Sequence, residues 1–213
     1  VYHGWWVVTA CMIIGLTVGG AVFYGFTAFF EPIVQEFGWS YTQVSLAYSM
    51  RGLEVGLFAP GMGFLVDRFG SSKVVLFGMA IAGSGFILLS LTQSLAMFYT
   101  FSLLIALGAG GCTSTVLIVL VAKWFRKNLG KALGLMASGF GGSGLLIPLI
   151  VRLIEVFQWR TAFVILGSGL LILVVPLFLV VRHEPQQHGS SREAGALPGR
   201  TPSLSLGEEG LRS

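Results

Sequence analysis

The sequence predicts an all-α membrane protein with six transmembrane helices. Hydrophobic residues make up 54% of the 213 residues and charged residues only 10%, which is too few charges to cover the surface of a soluble globule. The apolar residues fall into six runs, and a helix of about 20 apolar residues crosses a bilayer with its backbone amides satisfied internally. Connections that carry lysine and arginine alternate with connections that lack them, as in multi-pass proteins. The net charge of +4 is therefore explained by basic residues in the connections between spans, and no nucleic-acid partner is predicted.

The six predicted spans form one helical bundle over residues 1–181. In chain order the spans are 5–30, 44–66, 74–91, 96–121, 132–157 and 161–181. Short connections join them, except for the acidic stretch 31–40, which is predicted as a longer loop. From 182 to 213 the composition shifts to Gly, Ser, Pro, Gln and Glu, which predicts a disordered cytoplasmic tail or the start of a central linker.

The charges of the connections orient the predicted spans. The first connection carries Glu31 and Glu36 without lysine or arginine, and the third is uncharged. The second carries Arg68 and Lys73. Four basic residues mark the fourth connection: Lys123, Arg126, Lys127 and Lys131. Because basic loops stay in the cytoplasm, we expect a multi-pass protein of the inner or plasma membrane with both termini cytoplasmic.

A short motif joins the second and third spans. Residues 63–73 resemble the cytoplasmic signature G-x-x-x-D-R-x-G-x-R/K-R/K of the major facilitator superfamily. The matching residues are Gly63, Asp67, Arg68, Gly70 and Lys73, while Ser72 replaces the first basic residue. Gly70 permits the tight turn into the third span. The resemblance implies a gating role, in which Asp67 bonds to a second six-helix half when the cytoplasmic side is closed. The alternative is a plain topogenic loop.

Three further stretches narrow the resemblance. Residues 124–134 are similar to the entry into helix five of monocarboxylate porters, and residues 2–8 are loosely similar to the first-helix signature of that group. Residues 158–163 resemble the start of helix six across the superfamily. Together they indicate the subgroup of monocarboxylate porters and oxalate–formate antiporters. The helix-four arginine often assigned to proton coupling is absent, since Leu104 stands at its position.

A faint internal repeat indicates a two-part bundle. Asp67 and Glu155 are separated along the chain by the same interval as Phe69 and Phe157. The same shift lays the first three spans over the last three. An odd number of helices per unit inverts one unit relative to the other, so the predicted fold is a 3+3 inverted-repeat half of the major facilitator fold.

Two charged residues lie well inside the second span. Arg51 and Glu54 are one helical turn apart, and a charge at mid-membrane costs about 2.5–3.5 kcal/mol on insertion scales. They are therefore candidates for transport, with Arg51 attracting a substrate carboxylate and Glu54 tuning it or carrying a proton. The alternative is a self-neutralising pair that only packs against neighbouring helices. Tyr24 and Thr115 are further candidates for lining a cavity.

Small residues recur on the fifth and first spans. Gly130, Gly134, Ser138 and Gly142 are spaced four apart, as are Gly15 and Gly19, and such faces let helices approach closely. We therefore predict that both faces are helix-packing surfaces.

The resemblance implies a secondary active transporter of small organic anions such as monocarboxylates. In alternating access, this bundle would rock against a second six-helix half around a midplane site, with a proton as the coupling ion. Two alternatives stay open: a carrier of another substrate, such as a sugar or a drug, and a truncated six-helix membrane protein that does not transport. No catalytic constellation, cofactor motif or metal-ligand spacing is present, so we predict neither an enzyme nor a metal site.

Overall fold

The computed structural model describes residues 2–125 and 128–181, and within these the secondary structure is entirely helical. The α-helices are α1 Tyr2–Val18, α2 Phe30–Phe37, α3 Tyr41–Phe69, α4 Ser71–Ser90, α5 Leu95–Gly110, α6 Ser114–Trp124, α7 Leu129–Gly142 and α8 Leu146–Val181. A π turn, Gly19–Tyr24, and a 3-10 turn, Gly25–Phe29, link α1 to α2. A second 3-10 turn, Ser143–Leu145, links α7 to α8. The predicted tail, 182–213, lies outside the described residues.

Four helical stretches in the described part are long and apolar enough to cross a membrane. They are Gly4–Phe37, Ser71–Ser90, Leu95–Trp124 and Leu129–Pro176. The last has 48 residues and is broken at Gln158, whose φ of 66° is not helical. At 1.5 Å per residue it would extend about 72 Å, more than twice the hydrocarbon thickness of about 30 Å. The predicted all-helical membrane class is confirmed, and the exact number of six spans stays a prediction.

The acidic stretch 31–40, predicted as a loop, is mostly helical. Helix α2 continues through Phe37 and ends at Gly38, which adopts a left-handed φ of 66°. The helix persists because Ile33 is fully buried in the core. The connection is therefore only residues 38–40, and Ser40 starts α3 with a capping box.

An aromatic cluster holds the end of the first membrane stretch against the second part of α8. Phe29 stacks on Phe163 with ring centroids 4.0 Å apart, and both side chains are fully buried. Phe26 stacks on Phe98 and on Phe163, each at 6.3 Å. These rings join parts of the chain that are distant in sequence, so they fix the helix arrangement at this end.

Glycines set the close contacts between helices, but not all at the predicted positions. A Cβ on Gly15 would lie 2.8 Å from the Phe140 ring, and one on Gly19 would lie 3.0 Å from Ser143, so this predicted packing face is confirmed. The prediction for the fifth span holds at Gly142, where a Cβ would lie 3.4 Å from Leu16, but not at Gly130 and Gly134, where a Cβ would meet no atom of the described chain within 4 Å. The tightest glycine contact of α7 is at Gly139, which faces Met12 of α1.

Candidate functional site

A cavity of about 250 Å³ lies between the second half of α3 and the α5–α6 pair. Its walls are mainly apolar and include Met62, Leu107 and Val116. Its polar lining groups include Asp67 and Thr115, which come from helices far apart in sequence. The fold therefore brings an acid of the predicted gating motif, with Gly63 beside it, to the predicted cavity residue Thr115.

Asp67 occupies an unfavourable place for a carboxylate. It lies in the last turn of α3, where the helix dipole is negative, so its charge costs stability there. Arg68 in the same turn is favourably placed. Asp67 is exposed and forms no ion pair or side-chain hydrogen bond with any other residue that the structure describes. The stability of this bundle alone gives no reason for an acid at this position.

The turn after α3 has the predicted geometry. Gly70 has φ of 88° and ψ of 145°, a conformation that a residue with a side chain rarely adopts, and α4 starts at Ser71. Arg68 and Lys73 are exposed on either side of this turn. The Arg68 guanidinium carbon lies 5.8 Å from the centre of the Phe69 ring. The motif thus forms a tight corner with three exposed charged side chains, Asp67, Arg68 and Lys73, where α3 ends and α4 begins.

The other predicted site residues lie elsewhere. Arg51 and Glu54 are in α3, but their side chains lie outside what the structure describes, so their roles stay predictions. Tyr24 ends the π turn and is 55% exposed. It is not among the described residues that line the cavity of Asp67 and Thr115.

The fourth predicted span, 96–121, is broken where the sequence predicted a continuous helix. Helix α5 ends at Gly110, and α6 starts at Ser114 after an extended Thr113 with φ of −65° and ψ of 158°. The Thr113 hydroxyl donates a hydrogen bond to the Gly110 carbonyl oxygen at 3.2 Å. The signal for this break is the run of small and polar residues 110–115, of which Thr115 was predicted to line a cavity. Thr113 and Thr115 reach the cavity from this break.

A second polar cluster, missed in the sequence, joins α2, α4 and α8. The Arg160 guanidinium donates to the Glu36 carboxylate through Nη2 at 2.8 Å and Nε at 3.2 Å, and through Nη1 to the Ser90 carbonyl oxygen at 2.8 Å. The Trp159 indole donates to the other Glu36 oxygen at 2.5 Å. Trp159 is only 5% exposed, so its ring is buried while its N–H reaches the partly exposed Glu36 carboxylate.

Replacing Arg160 with lysine is expected to destabilise this cluster although it keeps the positive charge. Lysine lacks the planar guanidinium group that donates hydrogen bonds to the Glu36 carboxylate and the Ser90 carbonyl oxygen at the same time. Because the Arg160 side chain is 35% exposed and water screens the pair, we expect a loss of about 1–2 kcal/mol. Thermal unfolding in detergent, followed by size-exclusion chromatography, measures it.

The control is Arg152→Lys, because Arg152 is exposed and has no charged partner in the part of the chain described. This variant should unfold at the wild-type temperature. Equal melting temperatures for both variants would contradict a stabilising role of the Arg160 fork.

Comparison with known proteins gives consistent matches. A family model described as Major Facilitator Superfamily matches residues 4–210. Human "Monocarboxylate transporter 12" is 34% identical over 175 residues, which cover 81% of this chain and 33% of the relative. The "Oxalate:formate antiporter" of Oxalobacter formigenes is 27% identical over 188 residues, covering 88% of this chain and 43% of the antiporter.

A solved structure shows the same fold. It is a bacterial homolog of the human lysosomal transporter Spinster in an inward-facing and occupied conformation, with a TM-score of 0.68 and 19% sequence identity. The match covers 84% of this chain and 44% of that chain. The chain thus spans between one third and one half of the length of these proteins.

Proposed function

Because the chain belongs to the major facilitator superfamily, we propose that it forms one six-helix half of a secondary transporter that carries small organic anions by alternating access. The predicted resemblance to monocarboxylate porters and oxalate–formate antiporters is confirmed by the relatives. The proposed substrate class rests on one observation: the monocarboxylate transporters and the oxalate:formate antiporter are both named for carboxylates. The same matches support the prediction that the chain is not an enzyme.

A second half is proposed as the partner of the open helix faces. On α3, a Cβ at Gly52, Gly56 or Gly63 would meet no described atom within 4 Å, and Leu53 and Leu57 are 75% and 78% exposed. The same holds for Gly130 and Gly134 of α7 among the described residues. Smooth glycine faces allow close approach of other helices, which supports contact with a second six-helix half in addition to the lipid bilayer.

The helix breaks support the inverted repeat. The shift that places Asp67 on Glu155 also places Gly25, at the start of the 3-10 turn, on Thr113, at the break between α5 and α6. Interrupted helices at corresponding positions of two repeats mark the binding region of many transporters. We therefore assign Tyr24 and Thr115 to the substrate path.

The roles follow from the chemistry of the side chains. Arg51 attracts the substrate carboxylate, and Glu54 carries the coupling proton. Asp67, with Arg68, Lys73 and the corner at Gly70, closes the cytoplasmic side by bonding to the second half. The protein lies in the inner or plasma membrane with both termini in the cytoplasm.

Uptake of radiolabelled lactate into proteoliposomes tests this function. Uptake is expected to rise with an inward proton gradient and to fall when other monocarboxylates compete. In Arg51→Gln, loss of a charge-assisted contact worth about 1.5–3 kcal/mol should raise the KM at least about tenfold. In Glu54→Gln, exchange of lactate across the membrane should continue, but the proton gradient should no longer raise lactate uptake.

Glu155→Gln is the matched control, since Glu155 is exposed in α8 and should leave the proton response unchanged. The proposed substrate would be contradicted if the protein took up a sugar or a drug and added carboxylates did not inhibit that uptake. No uptake of any of these compounds, together with a natively expressed product of the calculated 22.8 kDa, would favour the non-transporting alternative.

A further inference from the structure

Two kinds of helical turn meet inside the first membrane stretch. The π turn Gly19–Tyr24 is closed by the N–H of Gly25, which donates to the Gly20 carbonyl oxygen five residues earlier. The 3-10 turn Gly25–Phe29 follows directly. Such π turns insert one extra residue into an α-helix and are frequent at functional sites. The side chain presented at this junction is Tyr24, which is 55% exposed.

The two sides of the junction are anchored on different neighbours. Before it, a Cβ on Gly19 would lie only 3.0 Å from Ser143, in the 3-10 turn that links α7 to α8. After it, Phe29 stacks on Phe163 at 4.0 Å. A change at the junction can therefore turn Tyr24 without breaking either anchor.

Tyr48 of α3 binds the junction directly. Its hydroxyl donates a hydrogen bond to the carbonyl oxygen of Phe23 at 2.9 Å, and Phe23 immediately precedes Tyr24. The Tyr48 ring stacks on Phe26 with an interplanar angle of 14° and meets Phe30 edge-on at 75°, both at 6.2 Å. The ring is thus held by packing, while the hydroxyl forms a hydrogen bond with the backbone of the π turn.

We propose that Tyr48 is a positioning residue for the substrate path, whose hydroxyl holds the π turn and so sets the direction of Tyr24. The assignment of Tyr24 to that path rests on the proposed function. Without the hydroxyl, the extra residue of the π turn can move to another position between the two anchors, so that Tyr24 changes register by one residue while both flanks stay in place. One residue of register rotates a side chain by about 100° about the helix axis, which turns Tyr24 away from its open side.

Cysteine labelling tests the position of residue 24 without any substrate. In the membrane-embedded protein, Tyr24→Cys is reacted with a water-soluble maleimide. Both native cysteines, Cys11 and Cys112, are fully buried and give a low background. Adding Tyr48→Phe, which keeps the ring packing, is expected to slow the labelling at least about fivefold.

The matched control is Tyr99→Phe. The Tyr99 hydroxyl also donates to a backbone carbonyl of α3, that of Gln43 at 3.1 Å, but far along the chain from the π turn. This variant should label at the parent rate. Unchanged labelling in Tyr48→Phe would overturn the inference. Loss of folded protein in Tyr48→Phe alone would overturn it too, because the hydroxyl would then serve the fold as a whole.

A double-mutant cycle, with the KM for lactate as the measurement, distinguishes failure of this inference from failure of the proposed function. Tyr48→Phe should raise the KM for lactate in the wild-type background and add nothing in the Tyr24→Phe background. Additive effects would overturn a role that acts through Tyr24. A wild-type KM in Tyr24→Phe would instead remove Tyr24 from the substrate path, while the labelling result for Tyr48 would still stand.

Discussion

Replacing Gly139 with alanine is expected to lower the amount of folded protein in membranes about tenfold. Gly139 lies where α7 meets α1, and a Cβ there would clash with the Met12 carbonyl oxygen and lie 2.9 Å from the carbonyl carbon. These are backbone atoms, so no rotamer change relieves the clash and the two helices must separate. Overpacking of this kind costs about 1–3 kcal/mol, and 1.4 kcal/mol is a factor of ten. The measurement is the monodisperse fraction on size-exclusion chromatography after solubilisation.

Gly134→Ala is the control on the same helix. A Cβ at Gly134 meets nothing within 4 Å in the described chain, so the folded fraction should stay close to that of the wild type. Equal losses in both variants would mean that alanine disturbs α7 for a reason other than contact with α1. A wild-type yield for Gly139→Ala would contradict the close α1–α7 packing.

Replacing Asp67 with asparagine is expected to reduce transport at least about tenfold while leaving stability equal or slightly higher. The carboxylate lies at the negative end of α3, so neutralising it should gain about 0.3–1 kcal/mol at that helix end. Transport should fall because the proposed bond to the second half is lost. The two effects have opposite signs, which ordinary damage to the fold would not produce. Initial uptake per folded protein and the melting temperature, measured on one preparation, give both.

Asp67→Glu is the conservative comparison, because it keeps the acid at the same corner. It should retain more transport than Asp67→Asn and show no gain in stability. Wild-type uptake in Asp67→Asn would leave the motif as a topogenic loop only. A lower melting temperature in Asp67→Asn would show that the acid has a stabilising partner, which the described residues do not contain.

Part of the candidate site could be predicted because it depends on local chemistry. The positive-φ turn at Gly70 follows from a glycine between two apolar runs, and the gating motif follows from its spacing. That Asp67 and Thr115 line one cavity could not be predicted, because it depends on which face of α3 lies against α5. Hydrophobicity on every side of a membrane helix gives no strong periodic signal of that face.

The sequence by itself determined the all-helical membrane class, because apolar run length and charge depletion suffice to place a chain in lipid. It also determined the family, because the motif at Asp67 and Gly70 is local. The tertiary structure decided which glycines of α7 pack on α1, namely Gly139 and Gly142 and not Gly130 or Gly134. It also decided where helices break and that Trp159 turns inward to Glu36. These features depend on partners far away in the chain, since each needs a backbone carbonyl, a ring or a carboxylate that another helix supplies.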